Sequence, residues 1–449
     1  GAASSTIPGA NNPVFIGDGA SYNHTVTVSS GSVFSGSIAI RTGSILDIKT
    51  TTGHNFGTVI PNSRGKFRLS TTAATAVFPA GDFGNFLGKL GGTVEYYSGA
   101  INFNVPLVSS APTSRQIITY YNLVLTPATG YTITMPNTDL LIYGSMTVSG
   151  ASSTAKVNLN NAQSRNMTIK TDLLVTGGNL VLQHGTAQAI RVDHSITVNA
   201  GAIFNMATTG TAVDHTLSIG GDVVNNGTID LSNLVSPTIY RCKVTFTGDQ
   251  LATVSGRGAT TDLYSLYLDK GTNATPVLNI TASAFSFSNN TLPLTLANGT
   301  FRLSSSALTL NVASQKFQIP ASACLSANGG TILVANVAND DADLMLAGLL
   351  EVKAGGINIG SASDSINNDI EYSGAGTPTI EVSGGTLYVN GQIRRSMING
   401  LGSLVYKQSG SGSVVTIGGR KPQTTRAKLE VLNTGSVFNM LGGTLNIVR

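Results

Sequence analysis

Tryptophan is absent from this chain of 449 residues, aromatic residues make up 6% of it, charged residues only 11%, and there are two cysteines. Each shortage narrows what the chain can be. Two cysteines as far apart as Cys242 and Cys324 build no disulfide framework, so we expect both as buried thiols. The net charge of +4 comes from scattered Lys and Arg with no run of one sign, which argues against a phosphate-tracking surface and against nucleic acid as a partner. No apolar run approaches the roughly 18 residues of a membrane-spanning helix, so no transmembrane segment is expected. Long-chain helix formers are scarce, and no stretch holds a 3.6-residue apolar period for many turns. Phosphate-binding glycine loops, nucleophile elbows and paired-cysteine metal motifs are missing as well.

Glycine is abundant, at 52 residues, and the 41% of hydrophobic residues include Val, Ile and Leu spread evenly along the chain. That apolar content, with low net charge, predicts a folded protein, and the β-branched bias predicts an all-β one. The segment Ala342 to Val352 is the one place with room for a short helix, although Gly348 splits it neatly into two strands, which is the favoured reading.

A short phrase recurs: Gly91-Gly92-Thr93-Val94-Glu95-Tyr96, Gly329-Gly330-Thr331-Ile332-Leu333-Val334, Gly384-Gly385-Thr386-Leu387-Tyr388-Val389 and Gly442-Gly443-Thr444-Leu445-Asn446-Ile447. Glycine supplies a turn with positive φ, and the alternating residues after it supply a strand with one buried face. Repetition of such units predicts an elongated parallel β-solenoid, a β-helix. The echo of Val192-Asp193-His194 in Val213-Asp214-His215 suggests coils of about 21 residues. At that length the chain holds about 20 coils and forms a rod on the order of 100 Å long. A longer repeat sets modules at 1–91 (the tail of a preceding one), 92–243, 244–403 and 404–449, stacked as one rod. Tyr96, Phe246 and Tyr406 mark matching places in the last three. The start at Gly1-Ala2-Ala3 reads as a processed or artificial end, and the abrupt stop at Arg449 reads as a fragment of a longer repeat protein.

The strand Val94-Glu95-Tyr96-Tyr97, the strand Tyr120-Tyr121-Asn122-Leu123-Val124-Leu125, the Gly-Gly-Thr-Leu units and the turn Asn225-Asn226-Gly227-Thr228 together resemble the large repetitive cell-surface proteins of Bacteroidota. The resemblance covers nearly the whole chain. It implies export through the type IX secretion machinery, an outer-membrane anchor, and an adhesive role of the kind used in gliding motility. Such proteins carry a C-terminal sorting domain; none is recognisable after Leu441, which means either truncation or another export route.

Residues with chemical potential are few. Asp340, Asp341 and Asp343 form the densest acidic cluster, but the glycine-spaced repeat of stacked calcium turns is missing, so we expect a solvated loop. A polysaccharide-cleaving solenoid needs carboxylates converging from adjacent coils; Asp364, Asp369 and Glu371, with Lys353 a coil earlier, are the nearest candidates, and they sit among Ser and Asn in turns. His194 and His215, beside Asp193 and Asp214, would stack a coil apart. Zinc would need His184 as a third ligand, and a hydrogen-bonded surface ladder is the simpler expectation. Arg394-Arg395 and Arg420-Lys421 are small basic spots that would meet acidic glycans or simply be solvated. Tyr96-Tyr97 and Tyr120-Tyr121 should each put one ring in the core and one outside. The Thr pairs at Thr25 and Thr27 and at Thr132 and Thr134 are too few for an ice-binding array.

No catalytic, cofactor or metal residues are therefore assigned. The expectation is a non-enzymatic extracellular stalk or display segment with weak multivalent contact to a polysaccharide or cell-surface ligand. Its rivals are a carbohydrate-active β-helix enzyme of lyase or hydrolase type, and a purely structural module of a larger surface assembly.

Overall fold

The computed structural model describes residues 9–19, 22–159, 163–211, 213–233, 240–289, 291–335, 344–361, 367–374, 376–396, 402–418 and 426–448. The chain is a β-solenoid of about 15 turns, nearly all β. It divides into two compact units, Gly1–Leu217 with Asn226–Arg241, and Ser218–Asn225 with Cys242–Arg449.

In the first unit the alternation of the strands sets the core. Phe67, Val94, Leu123, Met146, Leu173 and Ile196 stack in parallel register, one per coil, and all are buried. Their neighbours in sequence, such as Arg68, Val124 and Thr147, face outward, because successive side chains of a strand point to opposite sides. The second unit repeats the device with Leu278, Phe301, Leu325, Leu350, Ile380 and Tyr406, again in register and sealed from solvent. Each such side chain contributes roughly 1.5–3 kcal/mol of burial. Parallel stacking is not universal: Ser232 and Asn233 pair antiparallel with Arg241 and Tyr240.

The coil count is lower than the sequence suggests because the coils are longer and uneven. The His24 N–H meets Ser44 Oγ on the next coil, 20 residues on, whereas the Leu404 N–H meets Ser436 Oγ, 32 residues on. The strands beside these contacts keep the same spacing, with Val26 against Leu46 and Gln408 against Met440. The echoed Val-Asp-His phrases are not one coil apart in structure. The first spans the end of the strand Gln188–Val192 and the corner after it, and the second opens the strand Asp214–Ile219.

The Gly-Gly-Thr phrase serves two geometries. Gly385 and Gly443 take φ of +64° and +84°, as a turn requires. Gly330 instead lies within the continuous strand Ala323–Val334, where a Cβ would come 2.5 Å from the carbonyl oxygens of Ser305 and Leu308 of the preceding coil. Segment 344–352 is two strands, Leu344–Leu346 and the start of Leu349–Ile359, so the helical reading of Ala342 to Val352 fails over its described part.

One helical turn occurs elsewhere, at Gly84–Leu87. Asp82 Oδ1 accepts the Gly84 N–H at 3.0 Å, and the turn drives Phe86 into a cluster in which Phe83 also meets Phe56, Phe67 and Phe78.

Candidate functional site

Among the acidic residues singled out in the sequence, Asp369 and Glu371 are brought together, and their partner is Arg394. Glu371 lies in the strand Ile370–Tyr372 directly opposite Arg394 in Ile393–Arg395. Arg394 Nη1 is 3.2 Å from Glu371 Oε2, and its Nε is 3.5 Å from Asp369 Oδ2; the side chains are 0%, 3% and 0% exposed. No guanidinium nitrogen of Arg394 makes an aligned hydrogen bond among the described residues, so charge rather than bond geometry holds it. The Gln392 N–H donates to Asp369 Oδ1. Burial pushes the Asp369 carboxyl up to about 6, against the pull of that N–H and of Arg394. The nearby Glu371 carboxylate adds to that upward push on Asp369.

Lys353 does not join them. It is half-exposed and bonds Glu351 at 2.9 Å, in a group with Ser326 and Arg302. Asp364 lies outside the described residues, as do Asp340, Asp341, Asp343, Arg420 and Lys421. The basic spot at Arg394-Arg395 is also corrected, since Arg394 is sealed in. Half-buried Arg395 donates through Nη1 to Asn433 Oδ1 at 3.0 Å, and its backbone N–H donates to Glu430. Burial alone would raise the Glu430 carboxyl, but hydrogen bonds from Arg426 and the Arg395 N–H outweigh it and hold it below the usual range. The pair reads as surface in sequence because nothing local marks its carboxylates, which lie on neighbouring coils.

Histidines 184 and 215, not 194 and 215, come together. Their rings are 5.7 Å apart and both are buried, while His194 is exposed. His184 Nε2 donates to the Ala207 carbonyl at 2.7 Å, and His215 Nδ1 accepts the Gln188 N–H at 3.1 Å, which places the His215 proton on Nε2. Burial lowers the His215 pKa to about 4, with His184 adding to the effect. Asp193 pairs instead with Lys170 and Arg191, and Asp214 with Arg241. Among the described residues no group of three or more His, Cys, Asp or Glu is placed to hold a metal ion.

The tyrosine pairs follow the alternation. Tyr96 and Tyr120 are buried and share a hydroxyl–hydroxyl bond of 3.0 Å, while Tyr97 and Tyr121 lie toward the surface. Tyr97 receives the Arg68 guanidinium over its ring at 4.6 Å, and Arg68 also meets Asp47 and Glu95 on the coils either side. Cys242 and Cys324 are buried and not joined in a disulfide.

A groove of about 540 Å³ in the first unit is lined by Val77, Phe78, Leu107, Val108 and Met135, an apolar feature that no local sequence pattern announced. No helix among the described residues is long and apolar enough to cross a membrane. No family model matches the chain, and no curated protein or solved structure does either.

Proposed function

We propose that this chain is a non-enzymatic, extracellular display segment of a large surface protein, stiffened by its coils and touching polysaccharide or another surface weakly and repeatedly. The carrying observation is the coil-to-coil ladder, in which backbone bonds and side-chain ion pairs both link neighbouring turns. Arg68 bridges Asp47 and Glu95, Arg302 reaches Glu351 two coils on, and Lys407 reaches Glu381 on the adjacent coil. Charges committed to neighbours resist shear between coils and leave a Ser, Thr and Asn surface outside. Burial of Asp369 and Glu371 favours this reading over the carbohydrate-active enzyme, since a polymer cannot reach them. Export by the type IX route and attachment at the outer membrane belong to the same proposal, on the strength of the repeat phrases.

Labelling intact source cells with a membrane-impermeant reagent tests the location, and a chain labelled only after lysis refutes it. Pulling the isolated chain by its ends tests the mechanics. Coils of 20 to 32 residues should release in steps of about 70–110 Å of contour. A single featureless extension would remove the mechanical argument.

A further inference from the structure

The strands Thr132–Thr134, Lys156–Leu159, Asn179–Leu182 and Ile203–Met206 stack in parallel on one side of the first unit. Their inward residues, Ile133, Val157, Leu180 and Phe204, fill the core. The outward residues form two columns, Thr132, Lys156, Asn179 and Ile203 in one, and Thr134, Asn158, Val181 and Asn205 in the other. Asn179 and Val181 face outward yet are only 7% and 6% exposed, because they floor a groove of about 240 Å³. Exposed Thr208 and Thr209 stand at its rim. The backbone leading into them is tied down, since the Ala207 carbonyl accepts from both His184 Nε2 and Asn233 Nδ2.

The carboxamides of this groove are unusual. The Oδ1 atoms of Asn158, Asn179 and Asn205 are all buried, and none accepts a hydrogen bond among the described residues. Asparagines stacked on successive coils satisfy one another across a rung spacing of about 4.8 Å. Here Val181 separates Asn158 from Asn205, which puts those two amides roughly 10 Å apart, and Asn179 stands in the other column. The internal ladder cannot close. Three buried acceptors left open on a groove floor are costly in an empty protein and become useful when a ligand supplies donors.

We propose that this groove is a binding subsite for a neutral polysaccharide. A sugar hydroxyl both donates and accepts, as a carboxamide does, so turning the Asn158, Asn179 and Asn205 side chains toward the groove pairs each with hydroxyls of the sugar chain. Val181 offers the apolar face of a ring its contact. Among the described residues Lys156 is the one charged residue lining the groove, which suits an uncharged ligand better than a polyanion. Extended peptides normally add to a sheet edge, whereas this is a sheet face whose backbone is already paired. The inference rests on the surface-contact part of the proposed function and gives that contact a location.

Affinity electrophoresis of the whole chain through gels containing dextran, laminarin, xylan or galactomannan tests it. At least one neutral polymer should retard the chain, and Asn179→Leu with Asn205→Leu should weaken that retardation tenfold or more. Thr209→Trp, at the rim, should weaken it without touching the floor, and Lys156→Ala should change it less than twofold. Thermal melting of each variant guards against misfolding, and the leucine variants should melt no lower than the parent, since each removes an unpaired amide. Lack of retardation by every polymer, or retardation indifferent both to the leucine changes and to Thr209→Trp, overturns the proposal. Either result leaves the pulling steps intact, so failure of this subsite is distinct from failure of the display reading.

Discussion

The two units differ in which polar groups they seal most completely. The first seals neutral ones most completely, the His184 and His215 rings, the Tyr96 and Tyr120 hydroxyls and the Gln188 amide, while its buried ions Asp47, Glu95 and Arg165 keep 6–7% exposure. The second seals ions as well, with Asp369, Glu371 and Arg394 packed together at 0–2% exposure. A neutral group inside a coil needs only a hydrogen-bond partner and fails when protonation charges it. A buried ion needs a counter-ion and fails when that is removed. The same solenoid therefore has two separate points of weakness, one set by pH and one by composition.

Removing the counter-ion should have the largest effect. Arg394→Met leaves Asp369 and Glu371 facing each other in the interior and should cost the second unit about 3–5 kcal/mol at pH 7, read by denaturant unfolding. Adding Asp369→Asn and Glu371→Leu should recover most of that loss. If the triple variant is no better than the single one, the cluster is not balanced by charge, and the contrast between the units weakens.

Acid and base should pull the units in opposite directions. His215 has a folded pKa of about 4 against an ordinary 6.5, so the unfolded chain takes up the proton first, and the stability due to neutral His215 is lost as pH falls from 6.5 toward 4. That is about 3 kcal/mol at 1.36 kcal/mol per unit. Asp369 has a raised folded pKa of about 6 against 3.8, so its contribution is full below 3.8 and lost as pH rises through 6, by a similar amount. Because the chain has no tryptophan, Tyr131→Trp and Tyr267→Trp give each unit its own fluorescent reporter of unfolding. Slopes of the same sign in both units between pH 4 and 6 would contradict the assignment.

How far these devices can be read in advance depends on the range of the interaction. The alternation in Asn122–Thr126 or Met146–Ser149 is local, so strands, buried faces and the split of Tyr96 from Tyr97 are legible. Coil length is not, because it depends on how much chain a corner holds, and corners here range from the tight turn at Gly178 to the helical detour Gly84–Leu87. The ion cluster is half legible. Asp369 and Glu371 stand out as neighbours, but Arg394 pairs with them through register alone, a coil further along. The misplaced histidine pair has the same origin: two similar phrases fall at different points of their coils, which composition does not reveal.

The sealed neutral groups of the first unit give a smaller and sharper test. Tyr96 and Tyr120 bond each other at 3.0 Å in full burial, and burial holds the Tyr96 hydroxyl well above the usual phenol range. Tyr120→Phe strands one hydroxyl and should cost about 1–3 kcal/mol. Replacing both with Phe should cost less than the single change, since no donor is then left unmet. A buried ion pair obeys the same logic, so a double variant worse than the single would place this pair outside the pattern.

The smallest effects should come from the outer charge ladders, where the units can be compared like for like. Lys407 and Glu381 are 3.8 Å apart with side chains 51% and 38% exposed, so Lys407→Ala should change stability by less than about 0.5 kcal/mol. Arg68 is only 29% exposed, lies over Tyr97 and meets two carboxylates, so Arg68→Ala should cost the first unit about 1–2 kcal/mol. High salt should erase the first difference and leave most of the second, because ring contact and partial burial escape screening. If both variants respond alike to salt, the Arg68 site is an ordinary surface ladder and no charged anchor to set against the sealed cluster of the second unit.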